Sequence, residues 1–115
     1  MLNVKPIVYS ALSTYTILPG LLPGGIHPNV NDNAGKYPAL IYDEISNVPA
    51  LSANNAESLS RATVQISIMT DGSSTSAIAE RVDTVMINRG FTRQFAGDIT
   101  QGSIKMKVMR YVMLG

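Results

Sequence analysis

From Ser60 to Met69 the chain reads SRATVQISIM, which sets Ala62, Val64, Ile66 and Ile68 two residues apart with Arg61, Thr63, Gln65 and Ser67 between them. Strand side chains alternate between two faces, so this stretch predicts a strand with one apolar and one wet side; a period of 3.6 fits it poorly. Val64, Ile66 and Ile68 are β-branched, which suits a pleated surface, and burying each contributes roughly 1.5–3 kcal/mol before entropy is counted. Such a strand is expected at the centre of a sheet, and it demands a second layer over its apolar side.

The remaining segments offer that layer. Val4, Val8, Ala11, Leu12 and Tyr15 recur at helical spacing behind Asn3, a residue able to cap a first turn, with Pro6 where a missing N–H does no harm. A second helix is predicted after TDGSS, with Ser74 as cap, Ile78, Val82, Val85 and Met86 as its buried stripe and Gly90 as its stop. Ala39–Ser46, ALIYDEIS, reads as a strand apolar on parts of both faces that pairs with Ser60–Met69 in an antiparallel hairpin. FTRQFAGDI reads as a short strand ending in a Gly-Asp turn, and SIKMKVMRYVML as a last strand in which Ile104, Met106 and Val108 alternate with Lys105 and Lys107. The segment 17–38 holds four of the six prolines, so it is expected to be an irregular connection with at most a short strand near Ile26. Helix, strand, strand, helix, strand, strand is the order of a two-layer α+β sandwich: one domain over residues 1–115, with a mainly antiparallel sheet of about four strands and both helices on one face.

Between the hairpin strands lies NVPALSANNAESL, Asn47–Leu59, polar and rich in small residues. It is expected to form a long loop, either a mobile tip or a segment ordered by a partner. Asn47, Ser52, Asn54, Asn55 and Glu57 within it are the candidate assembly residues.

Composition narrows the function classes. The absence of cysteine excludes disulfides, thiolate zinc sites and cysteine nucleophiles. Nine basic residues against eight acidic ones are scattered along the chain, so no stripe marks a duplex nucleic-acid surface. A charged fraction of 15% beside an apolar fraction of 45% is unusual for a small free monomer and is expected where other subunits cover part of the surface. No apolar run approaches the ~18 residues of a membrane span, and MLNVKPIVYSAL lacks a cleavage-type end, so neither an anchor nor a secretion signal is predicted.

Reactive residues are few. His27 is the sole histidine, precedes Pro28 and has no orienting partner in sequence, which favours a surface or packing role. Asp43 and Glu44 would point to opposite faces of a strand and cannot act as a pair. Asp71-Gly72-Ser73-Ser74 has one glycine and no following lysine, so it reads as a strand-to-helix turn and not as a phosphate site. Lys105, Lys107 and Arg110 read as the solvent side of a strand or a guard against edge pairing, in preference to a polyanion contact. No catalytic, cofactor-binding or metal-ligating residue is predicted.

The succession LPGGIHP, KYPALIYDEIS, RATVQISIM, AIAERVDTVMINRGF and IKMKVMRYVM resembles the tail completion proteins of long-tailed bacteriophages, also called tail-to-head joining or tail terminator proteins. The likeness spans nearly the whole chain and includes Tyr37-Pro38 ahead of the first long strand, Arg89-Gly90-Phe91 at the helix exit and Arg110-Tyr111 near the end. What it implies is a virion protein without enzymatic activity or cofactor, assembled in the bacterial cytoplasm. Copies would form a ring, usually a hexamer, that closes the head-proximal end of the tail tube and offers its other side to the head's connector, with genome DNA passing through the hole. The implied partners are therefore its own copies, the tail tube protein and the head-closure or connector protein.

A ring subunit needs two different, complementary lateral patches, and a strand apolar on both faces suits that need. Asn47–Leu59 would find its order against the tube, the connector or the lumen, although it carries Glu57 and no lysine or arginine. Free subunits would stay monomeric or weakly associated until the tube end supplies a template. Two other readings stand beside this one. A head-closure or neck protein would bind the portal side first, whereas a small host enzyme or nucleic-acid-binding domain would need a reactive cluster around His27, Asp43 or Asp71, or an affinity for DNA that falls with salt.

Overall fold

In the computed structural model, which describes residues 1–14, 18–28, 36–53 and 56–115, two helices cover one face of a five-stranded sheet. The elements are α1 (Val4–Thr14), a single turn α2 (Leu18–Leu21), β1 (Ile26–Pro28), β2 (Ala39–Ala53), β3 (Ala56–Thr70), α3 (Ser76–Asn88), β4 (Thr92–Gln101) and β5 (Ile104–Leu114). Across the sheet the strands run β1-β2-β3-β5-β4. All neighbours are antiparallel except β1, which pairs parallel to β2 through Ile26–Leu40, His27–Ile41 and Pro28–Tyr42. The α+β class therefore holds, but the sheet has five strands and is mixed, where about four antiparallel ones were expected. A three-residue strand is too short to display alternation, and its partner lies beyond a long connection, so nothing local in the sequence announces the pair.

β3 occupies the centre, as its pattern requires. Ala62, Val64, Ile66 and Ile68 are all fully buried against the helices, and the register Ala39–Met69 through Glu44–Val64 confirms the predicted hairpin. From α1 come Val4, Val8 and Leu12; from α3 come Ile78, Ala79, Val82, Val85 and Met86; these fill one cluster with Leu40, Tyr42, Phe91, Met109 and Tyr111. Tyr15, assigned to the first helix from its spacing, lies outside the described residues. The cap position of α3 is Thr75, which makes no side-chain capping bond; Ser74, expected as the cap, lies one residue outside it, its Oγ accepting the Ser76 N–H at 3.2 Å. Its end matches the sequence signal: Gly90 sits at φ +103, a left-handed conformation open to glycine, and the chain turns back so that Phe91 N–H reaches Met86 O at 3.0 Å.

Two details of the last hairpin depart from the sequence reading. β4 runs on through Gly97-Asp98, and the turn comes later, at Gly102 with φ +60. In β5 the helix-facing positions are Lys107, Met109 and Tyr111, opposite Ile68, Ile66 and Val64, while Met106, Val108 and Arg110 face the other way. Lys105 and Lys107 thus stand on the opposite side of the sheet from Arg110, so these three cations do not form one patch.

Candidate assembly surfaces

The segment Asn47–Leu59 is not a loop. β2 continues to Ala53 and β3 begins at Ala56, so the hairpin is a ribbon of two 15-residue strands. Pairing satisfies the backbone of a segment whose sequence shows no apolar alternation that would announce a strand. The ribbon leaves the sheet where Ser60 and Gly115 exchange backbone hydrogen bonds at 2.7 and 3.0 Å, the last link between β3 and the end of the chain. Beyond it, the five residues Pro49–Ala53, at about 3.4 Å each, carry the arm roughly 17 Å outward. The overall extents of 52 × 29 × 23 Å and a radius of gyration of 14.8 Å, against about 13 Å for a compact chain of this length, reflect that arm.

The candidate assembly residues fare differently from one another. Asn47 belongs to the root of the arm: its Nδ2 donates to Leu2 O at 2.6 Å and to Glu44 Oε1 at 3.0 Å, tying the N-terminal segment to β2. Its Oδ1 is buried without a hydrogen-bond partner among the described residues. Ser52 and Glu57 are brought directly opposite each other across the ribbon, and Asn54 and Asn55 lie outside the described residues. Ile45 and Val48, both about half exposed, place apolar surface at the root. The ladder is uneven there, with register shifts between Glu44 and Ser46 and again between Pro49 and Ser52.

A second surface, β4, was not singled out in the sequence. It is an edge strand, and of its ten residues all but Gly97 are exposed. α3 meets it through Asp83 and Arg93 without burying it, so both of its faces and its outer side stay exposed. On the helix-free face Phe95 and Ile99, 50% and 53% exposed, straddle Gly97. The Phe95 ring folds back over Gly97, where a Cβ would meet it at 2.8 Å, and the Arg110 guanidinium lies over the same ring at 5.7 Å from its centroid. Arg110 Nε also donates to Gln65 Oε1 at 3.0 Å, and Val108 beside it is buried without any helix above. The alternation Phe95, Gly97, Ile99 was a legible strand signal, although Gly97-Asp98 disguised it as a turn.

On the helix side, β4 is fastened by charge. Asp83 on α3 accepts the Tyr111 hydroxyl at 2.8 Å through Oδ1 and meets Arg93 Nη1 at 3.0 Å through Oδ2. Burial of the fully enclosed Tyr111, then the Asp83 carboxylate beside it, push the phenol far above its ordinary pKa of 10.0. Lys107 Nζ stands 3.4 Å from Asp98 Oδ1 in the cross-strand register of β5 and β4. Every member of this group has a partner of opposite charge or a hydrogen bond, which suits a clamp between layers.

The residues weighed for chemistry are not gathered. His27 Nε2 is within 2.7 Å of Gly24 O in its own turn, and β1 holds it beside Ile41. Asp43 pairs across from Gln65 on the helix-free face, whereas Asp71 is an exposed residue of the turn before α3. Among the described residues no group of three His, Asp or Glu is placed to hold a metal ion, and no helix is long and apolar enough to cross a membrane. Compared with known proteins, the chain matches no family model and no curated protein.

Proposed function

We propose that this protein is a virion structural component of a long-tailed bacteriophage that assembles with its own copies into a ring at the head-proximal end of the tail tube, terminating the tail and joining it to the head. The work it does is assembly, without bond-making chemistry. The observation that carries the reading is the β2–β3 arm, which projects beyond the two-layer body while the helix-free face of the same sheet stays uncovered. A cyclic ring is built from heterologous contacts, in which one patch meets a different patch on the next copy, and an arm with an open face supplies two such patches on one subunit. The order of elements and the marks that resemble the tail completion proteins agree with this use. In the ring, usually six copies in that family, one side meets the tube protein and the other the head's connector, and DNA passes through the opening without sequence-specific contact.

Shortening the arm tests the proposal directly. Replacing residues 49–60 with an Asn-Gly turn keeps the sheet up to Val48–Arg61 and should leave a folded protein. That variant should fail to form rings at the ends of purified tail tubes and should yield tails that do not join heads, as judged by negative-stain electron microscopy. Tubes capped and joined as efficiently by the shortened protein as by the full chain would refute it.

A further inference from the structure

The two outer margins of the sheet are built differently. On β2, Leu40 donates its N–H outward to Gly25 O, so alternation turns Tyr42 and Glu44 outward and, past the register shift, Asn47 and Pro49. β1 covers the first of these positions; the shift breaks the spacing of the rest, and Pro49 has no N–H to offer, all of which discourage a further strand. β4 carries no such guard beyond Arg93. Gly115 bonds to β3, so by alternation Val108 and Met106 bond to β4, and Gly97 and Ile99 bond back to β5. The outward backbone groups of β4 therefore belong to Ala96, Asp98 and Thr100, in regular register, without proline or lysine.

We infer that β4 pairs antiparallel with β4 of a second copy of this chain, across a two-fold axis at Gly97, joining two sheets into one of ten strands. The side chains select this register. With Gly97 opposite Gly97 of the partner, Phe95 stands across from Ile99 on the helix-free face, and Ile99 across from Phe95, so the two large exposed apolar residues of the edge cover each other twice. On the helix side Ala96 stands across from Asp98. Sliding the pair to centre on Asp98 would set two carboxylates against each other and part Phe95 from Ile99, which disfavours that alternative. Gly97 at the axis leaves space for the Phe95 ring, which already lies over it. The contact uses neither the arm nor the open face of the sheet interior. In a closed ring neighbouring subunits meet head to tail, so this two-fold pair is a form of the free protein, and its failure would leave the ring proposal standing.

Sedimentation velocity over a concentration series from low micromolar to submillimolar should show a monomer–dimer equilibrium for the full chain. Ala96→Pro removes an outward N–H that β5 does not use, so thermal unfolding should be little changed while the dimer dissociation constant rises at least about tenfold, from the loss of two hydrogen bonds across the axis. Ile99→Lys, at an exposed position, gives an independent disruption should the proline perturb β4. The register is read by cross-linking, since the chain has no cysteine of its own. Directly opposite residues of a non-hydrogen-bonded pair have Cα atoms about 4.5 Å apart, within disulfide reach. Gly97→Cys, whose Cβ turns the tip of the Phe95 ring aside but leaves the backbone pairing intact, should therefore give a covalent dimer on mild oxidation, and Gln101→Cys should not. A chain that stays monomeric throughout, a dimer indifferent to both Ala96→Pro and Ile99→Lys, or cross-linking at 101 in place of 97 would each overturn the inference.

Discussion

β3 and β4 flank the same strand, β5, and both run antiparallel to it, yet one has four fully buried apolar residues on its helix side and the other is exposed along almost its whole length. Residue type does not separate them: Ile66 and Ile99 are the same side chain, 0% and 53% exposed. What differs is the layer above, because α1 and α3 cover the centre of the sheet and stop short of its β4 margin. In this molecule coverage by helices decides which strands build the core and which remain exposed.

Breaking that contrast begins at its buried end. Ile66→Asp should leave no folded protein, by circular dichroism or by recovery after centrifugation, since a carboxylate there would be buried without a partner among aliphatic side chains. Ile66→Ala should fold with a loss of about 2–5 kcal/mol in denaturant titration. The clamp between the layers comes next: Tyr111→Phe should cost about 1–2 kcal/mol, because Asp83 loses a buried donor. It should also change the pH profile. The Tyr111 phenol is held above its ordinary pKa of 10.0 in the folded state, so the native chain keeps this contribution below about pH 10 and loses it progressively at higher pH, where the unfolded phenol ionises first. Phenylalanine removes that part of the alkaline decline, and titrations at about pH 8 and about pH 11 measure it. At the exposed end, Ile99→Ala should stay within about 0.5 kcal/mol of the parent, and Gln65→Asp, on the helix-free face of β3, should also fold. These two are read at low micromolar concentration, where the chain is monomeric, and a large cost for Ile99→Ala there would mean that β4 is covered within the single chain.

The same contrast explains what was legible. Ala62, Val64, Ile66 and Ile68 could be read as a central strand because the layer above them imprints a period of two, and the stripe Ile78, Val82, Val85, Met86 could be read for the matching reason on α3. Where no layer lies above, no period is imprinted. The arm therefore looked like a loop, although Ser52 and Glu57 are cross-strand partners, and Asn47 looked like a tip residue although it holds Leu2 at the root. β5 misled in another way. Lys107 lies where a lysine can reach Asp98 on the neighbouring strand, so Lys105 and Lys107 fall on the helix side, opposite to what simple alternation suggests, while Arg110 stays on the other face. The proposed assembly residues and the edge Phe95-Gly97-Ile99 share this difficulty: a surface that no layer of the same chain covers leaves little imprint on the sequence.

Ser60 and Gly115 clasp each other at the root of the arm, and Leu2 lies against Gly115 within 3.3–3.8 Å of where its Cβ would be. Both ends of the described chain thus emerge side by side at the place from which the ribbon departs. Any fusion partner or affinity tag would stand next to that ribbon and obstruct whatever it touches. The bend at Gly102, at the far end of the strands, is the position where a fluorophore or small epitope can be installed without interfering.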